Sequence, residues 1–297
     1  MSLIPPYYPP DFNRPDLAAA PAVRVEAAPE DGVLPRSFHA TSNHPEYVHL
    51  GNGEWILARE SRMDAAMVLR GRHLELFEPR RVRKGDPVVV GRTENGEEGI
   101  YVHTEGFSGS HGEPMEKFAF RTHGTRETPF SRSYDELYRL LRHERDIGHI
   151  VWVLGPAVVF DRDSRDAMAG LISAGYCHAL MGGNAVATHD LEAAMFRTGL
   201  GKDIYTQELV PNGHYHHLDV INEVRHSGSL SQAILDLGVR DGIVHACCEK
   251  RIPLLLAGSI RDDGPLPGVI TDTCAAQDGM REHARRATTV IALANQL

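Results

Sequence analysis

The chain has 297 residues, 42% hydrophobic and 24% charged, with a formal net charge of −9; it is long enough to bury one large core or two smaller ones. The acidic excess is spread without a basic block, which argues against a nucleic-acid partner. No apolar run approaches the roughly 20 residues that cross a bilayer, and the opening MSLIPPYYPPDFNRPDLAAAP lacks the basic-then-apolar order of a signal peptide, so a cytoplasmic protein without a membrane partner is expected.

Residues 1–34 are rich in proline and alanine without a sustained period and read as an arm lying on a surface or left disordered. From 35 to 130 come short β-prone runs, EYVHL, EWILA, AAMVL, PVVVG and GIYVH, separated by the turn signals GNG, KGD and ENGEEG, which predict a small β-rich domain. At about 131 the period changes. SYDELYRLLRHERD places Ser133 and Glu136 as a capping box ahead of Leu137, Leu140 and Leu141 at helical spacing. The strand HIVWVLG follows, then a helix with Ser164 as its cap and Gly175 as its stop, and the strand YCHALMGG. Helices are expected near 185–196, 216–227, 229–237 and 241–250, then the strand PLLLAGSI, a helix near 272–287 and the strand TTVIALA. Apolar strands alternating with helices over 131–297 predict an α/β domain whose parallel sheet is covered on both faces. Cys177, Cys247, Cys248 and Cys274 form neither a C-x-x-C pair nor a disulfide framework and read as reduced, small apolar fillers.

Ligands of such sheets bind at the carboxyl ends of the strands. Three polar stretches fall there: GPAVVFD, GGNAVATHDLE and SIRDDGPLP. Residues 155–158, 182–185 and 259–263 are therefore expected to line one crevice. Gly182 and Gly183 let backbone approach a pyrophosphate, and the helix from Ala185 aims its amides at the anion. The G-x-G-x-x-G fingerprint is absent, and a tight strand-to-helix turn accounts for the same glycines. In AGSIRDDGPLPGVITD, Pro265 and Pro267 stiffen a loop bearing one cation and adjacent aspartates, which suits a site, although an ordinary solvated turn has the same composition.

DGVLPRSFHATSNHPEYVHLGNGEWI, WVLGPAVVFD, GGNAVATHDLEAAMF, GHYHHLDVIN and LAGSIRDDGPLPGVITD together resemble the archaeal-type ornithine cyclodeaminase family, whose conserved domain is also described as lysine-ketoglutarate reductase/saccharopine dehydrogenase-like. The resemblance runs from about residue 31 to the end. It implies a Rossmann-like, deoxyhypusine-synthase-like domain that binds NAD without the usual glycine fingerprint, and the conversion of ornithine to proline with loss of ammonia. Gly155, Pro156, Ala157, Gly182, Gly183, Asn184 and Ser259 would then hold the cofactor.

That chemistry removes a hydride from Cα, closes a ring through the side-chain amine, expels ammonia and returns the hydride. It needs a cation for the substrate carboxylate and carboxylates for its amines. Arg261 suits the first role through its bidentate fork, and Asp262 or Asp263 the others; a structural Arg261–Asp262 ion pair is the competing reading. Asn43, with Thr41 and His44 on a Pro-stiffened loop, is a candidate cap over the crevice, or part of an Asx-type turn. His189 beside Asp190 reads as a satisfied pair more readily than as a substrate contact. His214, His216 and His217 in GHYHH are compatible with zinc and so with a zinc-dependent hydrolase, but no clear third ligand follows at metal spacing. A module that binds NAD or an amino acid without turnover is a third reading. The substrate is expected to be a small-molecule amino acid, basic and most simply ornithine, and a homo-oligomer is expected for this sheet type.

Overall fold

The computed structural model describes residues 6–42, 44–60, 62–63, 65–107, 131–262 and 264–294, and of 131–133 the backbone alone. The chain divides into two compact units, Met1–Phe130 and Ser131–Leu297.

The first unit is antiparallel β-structure. A short helix α1 (Pro15–Ala18) precedes β1 (Arg24–Ala27), β2 (Glu46–Gly51), β3 (Glu54–Leu57), β4 (Ala66–Arg70), β5 (His73–Phe77), β6 (Pro87–Val90) and β7 (Ile100–Val102). They form two sheets, ordered β1-β6-β4-β5 and β3-β2-β7. Alternation along β4 sends Met67 into a cluster with Val48, Val89 and Ile100, and Ala66 and Val68 into another with Ala28, Val82 and Val88. The first sheet is thus packed on both faces. Two of its strands escape the sequence pattern. Arg24–Ala27, inside the stretch expected to be an arm, has four exposed residues and no alternation, yet pairs along its backbone with β6 from Arg24↔Val90 to Ala27↔Pro87. His73–Phe77 is the return strand of a two-residue hairpin, in which Gly71 takes φ 65° between Arg70 and its partner His73.

The second unit begins with α2 (Ser131–Ile147), followed by β8 (Ile150–Leu154), a 3₁₀ turn (Pro156–Val159), α3 (Arg162–Ser173), β9 (Ala179–Gly183) and α4 (Asn184–Phe196). The two-residue strands β10 (Thr198–Gly199) and β11 (Lys202–Asp203), α5 (Gly213–Ser227), α6 (Leu230–Asp236) and α7 (Ile243–Lys250) come next. The unit closes with β12 (Leu254–Ala257), α8 (Thr273–Arg286) and β13 (Thr289–Leu293). Strands β12-β9-β8-β13 pair in parallel in that order. By chain order this is third, second, first, fourth, so the order reverses between β8 and β13, the topological switch point of a doubly wound sheet.

Both faces of the sheet are covered. On one side Ile150, Trp152 and Leu154 pack with Met168, Ile172 and Ile243; on the other Val151, Ala179 and Met181 meet Met280 of α8 and Ala287 just after it. Two expected caps are displaced. The α2 backbone is already helical at Ser131, so Ser133 lies within the helix rather than at its N-cap. The α3 cap is Asp161, whose carboxylate accepts from the Ser164 amide at 2.9 Å, a shorter reach for the first free amides than a serine already inside the turn can make.

Three helices are tied by one buried carboxylate. Asp190 Oδ1 accepts from Arg165 Nε of α3 (2.7 Å) and from the Ile243 amide (3.0 Å), and Oδ2 accepts from the Val244 amide (2.7 Å). Arg165 also donates to the Asp190 carbonyl and to Asp241. The side chain of α4 therefore caps the N-terminus of α7, whose own N-cap, Gly242, has none to offer. Gly242 takes φ 96°, and a Cβ there would stand 2.1 Å from Arg165 Nη2. Burial pushes the Asp190 carboxyl up, while Arg165 and the two amides pull it the other way. Removing one partner of such a pair leaves a buried charge uncompensated, so Asp190→Ala is expected to cost about 3–5 kcal/mol of stability. Denaturant unfolding followed by circular dichroism measures this, and an unchanged midpoint contradicts it.

Candidate functional site

The strand register levels three carboxyl ends: Leu154 pairs with Gly182, and Gly183 with Ala257. Gly155 continues the ladder by donating its amide to the Leu293 carbonyl at 2.8 Å. Along this crest the residues are small. A Cβ on Gly182 would lie 3.3 Å from both the Leu154 carbonyl oxygen and Val186 Cγ2, so the strand-to-helix turn is held tight. The N-cap of α4 is Gly183, which supplies no side-chain bond to the first amides of the helix; those amides and the helix dipole are available to an anion. Asn184 is buried and turned elsewhere: its Oδ1 accepts from the Leu266 amide at 2.9 Å.

That bond pins the loop after β12. The strand ends at Ala257, short of the expected Ile260, because Gly258 donates to the Ile270 carbonyl (2.8 Å) and Ile270 to that of Leu256 (2.9 Å), closing residues 258–270 into a loop with joined ends. Arg225 of α5 holds the Pro265 carbonyl at 3.1 Å. Within the loop Asp262 accepts from the Ser259 amide (2.8 Å) and hydroxyl (3.1 Å), so both its oxygens are engaged. Arg261 is exposed and forms no ion pair with Asp262, and Ile260 beside it stands fully in solvent. Asp263 and Asn43 lie outside the described residues.

Cavities open among the described residues of this unit. One of about 200 Å³ is lined by Gly258, Ser259, Asp262, Pro265 and Thr271. Another, about 420 Å³, lies at the switch point between Trp152, Ala157, Met168 and Leu293. Ser259 and Ala157, expected in one crevice, thus line different hollows, while Gly182 and Gly183 end the strand between β8 and β12 and Asn184 opens the helix that follows it.

The histidines form a network that sequence reasoning did not find. His189 pairs with Glu192 rather than with its neighbour Asp190, Nδ1 to Oε2 at 2.6 Å. Thr198 donates to Glu192 Oε1 at 2.8 Å and contacts His216 Nδ1 at 2.8 Å; the Leu200 and Gly201 amides also donate to Glu192. The available signal was α4 itself, where Thr188, His189, Asp190 and Glu192 are all buried. Polar residues at four of five consecutive positions face every side of the helix, so α4 is enclosed and each needs a partner. Among the described residues no three His, Cys, Asp or Glu side chains are arranged to hold a metal ion, and no helix is long and apolar enough to cross a membrane.

The parallel sheet, its order reversal and its small-residue crest define a Rossmann-type α/β protein. The family described as arginine dihydrolase ArgZ-like, C-terminal, Rossmann fold matches residues 136–297. An ornithine cyclodeaminase of Methanopyrus kandleri is 42% identical over 93% of this chain, and the chain spans 65% of that relative's length. The crystal structure of a conserved LOR/SDH protein from Methanococcus maripaludis is similar with TM-score 0.80 and 35% identity, covering 93% of this chain and 82% of the other. A ternary complex of AgrE with ornithine and NAD+ is similar with TM-score 0.53 and 30% identity, over 94% of this chain and 38% of that one. The chain belongs to the archaeal-type ornithine cyclodeaminase family.

Burial works against ionisation of Glu192, but the bonds from His189, Thr198 and Gly201 outweigh it and hold its carboxyl below the usual glutamate value of 4.5. A depressed folded value stabilises the protein above the unfolded one, and that contribution drains away as pH falls through the folded value. Stability should therefore fall more steeply below pH 4.5 in the native protein than in Glu192→Gln. Denaturant midpoints measured across the acid range decide it, and parallel curves for the two proteins would be inconsistent with this assignment.

Proposed function

We propose that the second unit binds NAD(H) along the carboxyl crest of its sheet and that the protein catalyses cyclodeamination of a basic amino acid, ornithine to proline and ammonia. The observation that carries this reading is the levelled crest at a doubly wound sheet's strand ends, in a chain whose relative AgrE was crystallised with ornithine and NAD+. Ligands of such sheets bind at that edge.

The residues present suit a dinucleotide. Gly182 and Gly183 let a pyrophosphate approach the backbone, and the amides at the start of α4 carry no competing side-chain cap. Gly155, Pro156 and Ala157 border the β8 end, and Ser259 the β12 end. Asn184, which braces the Leu266 amide, acts by holding the loop beside the cofactor in place. When bound, NAD accepts a hydride from the substrate Cα and returns it after ring closure.

The protein's own groups do the rest. Arg261 takes the substrate carboxylate through its guanidinium fork. Asp262 is spent on Ser259 and keeps the tip of the loop in shape, so Arg261 projects from a fixed base. Asp263 manages the amine protons. The partner is a small-molecule amino-acid substrate, and the working assembly is a homo-oligomer.

Asp263→Asn keeps the shape and removes the charge. It is expected to leave NAD affinity, read by calorimetry, nearly intact while lowering proline formation from ornithine on the order of a hundredfold or more. Normal turnover by that variant would refute the role of Asp263. A native protein that binds neither NAD nor NADH would refute the site.

A further inference from the structure

Glu192 is fully buried, and its hydrogen bonds decide where the protons of two histidines lie. An ionised carboxylate only accepts, so the ring nitrogen of His189 that meets Oε2 at 2.6 Å carries the hydrogen: Nδ1–H. Thr198 has one hydroxyl hydrogen and spends it on Glu192 Oε1. His216 Nδ1, 2.8 Å from the same hydroxyl oxygen, must then be the donor in that contact. One carboxylate thereby sets a hydrogen on Nδ1 of both rings, and in the neutral ring Nε2 then holds the lone pair. Among the described residues neither Nε2 has a hydrogen-bond partner.

The position of His189 gives that lone pair a use. Its ring lies edge-on to Phe160, 5.1 Å between centroids, and Phe160 immediately follows the 3₁₀ turn at the β8 carboxyl end. His217, from the first turn of α5, stands 6.2 Å away on α4's other neighbour. The ring thus stands on the helix that opens at the crest, held through Nδ1 and bounded by aromatic rings. A clamp for residues 198–201 would need only the threonine hydroxyl and the Leu200 and Gly201 amides that Glu192 already receives; it has no need of an imidazole at either end. A buried carboxylate that orients an imidazole is the arrangement that prepares a histidine for proton transfer.

We propose, on the cyclodeaminase reading above, that Glu192 is a positioning residue for His189, and that His189 Nε2 accepts a proton from the substrate's side-chain ammonium. The transfer makes an imidazolium and a neutral amine. The amine nitrogen uses its freed pair to bond to the Cα of the substrate's protonated imine, one proton passes from this new ring nitrogen to the α-nitrogen, and the α-nitrogen leaves as ammonia with its bonding pair while the ring nitrogen's lone pair forms the C=N bond of the cyclic imine. The ammonia takes the proton back from His189, which ends as it began; no further reagent is needed between the two hydride transfers.

The test uses the full chain with its histidines labelled with ¹⁵N, alongside Glu192→Gln and His189→Asn. Asparagine places an N–H where Nδ1–H was, so the bond to Glu192 and the fold are kept while the base is lost. In the native protein near neutral pH, His189 should show a protonated Nδ1 and a pyridine-type Nε2, and Glu192→Gln should lose that signature. His189→Asn should retain NAD affinity and the KM for ornithine, with kcat lowered on the order of a hundredfold or more. A native His189 in the Nε2–H form overturns the positioning role, and near-native kcat in His189→Asn overturns the proton acceptor. If the native protein binds NAD yet releases no ammonia from ornithine, the cyclodeaminase reading falls and takes the proton transfer with it, while the nitrogen spectra still judge the pairing with Glu192.

Discussion

The buried Asp190 is the constraint on which the second unit depends. A carboxylate with no exposed surface is costly unless its lone pairs are used, and here the donors come from two other helices: a guanidinium from α3 and two terminal amides from α7. Satisfying one charge therefore fixes three helices against one face of the sheet. The glycine at 242 follows from this. With Arg165 and Asp190 already occupying the space where a Cβ would stand, no side chain fits, and the cap has to come from another helix.

Two residues further along the same helix, Glu192 does the equivalent for the loop between α4 and α5. Its partners are the α4 histidine, the β10 threonine and the amides that follow. The return of that loop onto α5 leaves no room for side chains: a Cβ on Gly213 would lie 2.4 Å from the Gly201 carbonyl oxygen. Helix α4 consequently carries charge on the sides that an isolated amphipathic helix would keep in water. It opens on the crest with Gly183 and Asn184, so the groups that fix it also fix the direction of its first amides.

Regular elements were legible in the sequence because each has a local cause. The apolar runs of β8, β9 and β12, the period of α2 and the Gly175 stop after α3 depend on near neighbours, and so does the alternation of the β-rich segment. What local pattern could not show is pairing by backbone alone, as in Arg24–Ala27, whose exposed side chains carry no signal. Nor could it show pairing at a distance. His189 and Asp190 are adjacent in sequence, and adjacency suggested a pair. On a helix, however, neighbours diverge by about 100°, so His189 meets Glu192 one turn on, while Asp190 turns to Arg165, twenty-five positions earlier. Arg261 and Asp262 repeat the lesson in a loop: the hydroxyl and amide of Ser259 satisfy the aspartate, and the arginine is left projecting.

The loop of residues 258–270 shows how such a projection can be held without a core of its own. Its ends are joined by the Gly258 and Ile270 bonds, its far side is pinned through Pro265 to α5 and through Leu266 to Asn184, and its near turn is stapled by Asp262. The prolines limit the backbone between these points. Leu266 itself is buried in the cluster under α5 and α6, so the loop is anchored apolar side down. What remains unburied is the tip, an isoleucine fully in solvent next to a cation. Folding alone gives no reason to expose that side chain, since burying an isoleucine is worth about 1.5–3 kcal/mol. The joined ends, the pinned far side and the stapled turn together fix the base from which this isoleucine and the arginine project.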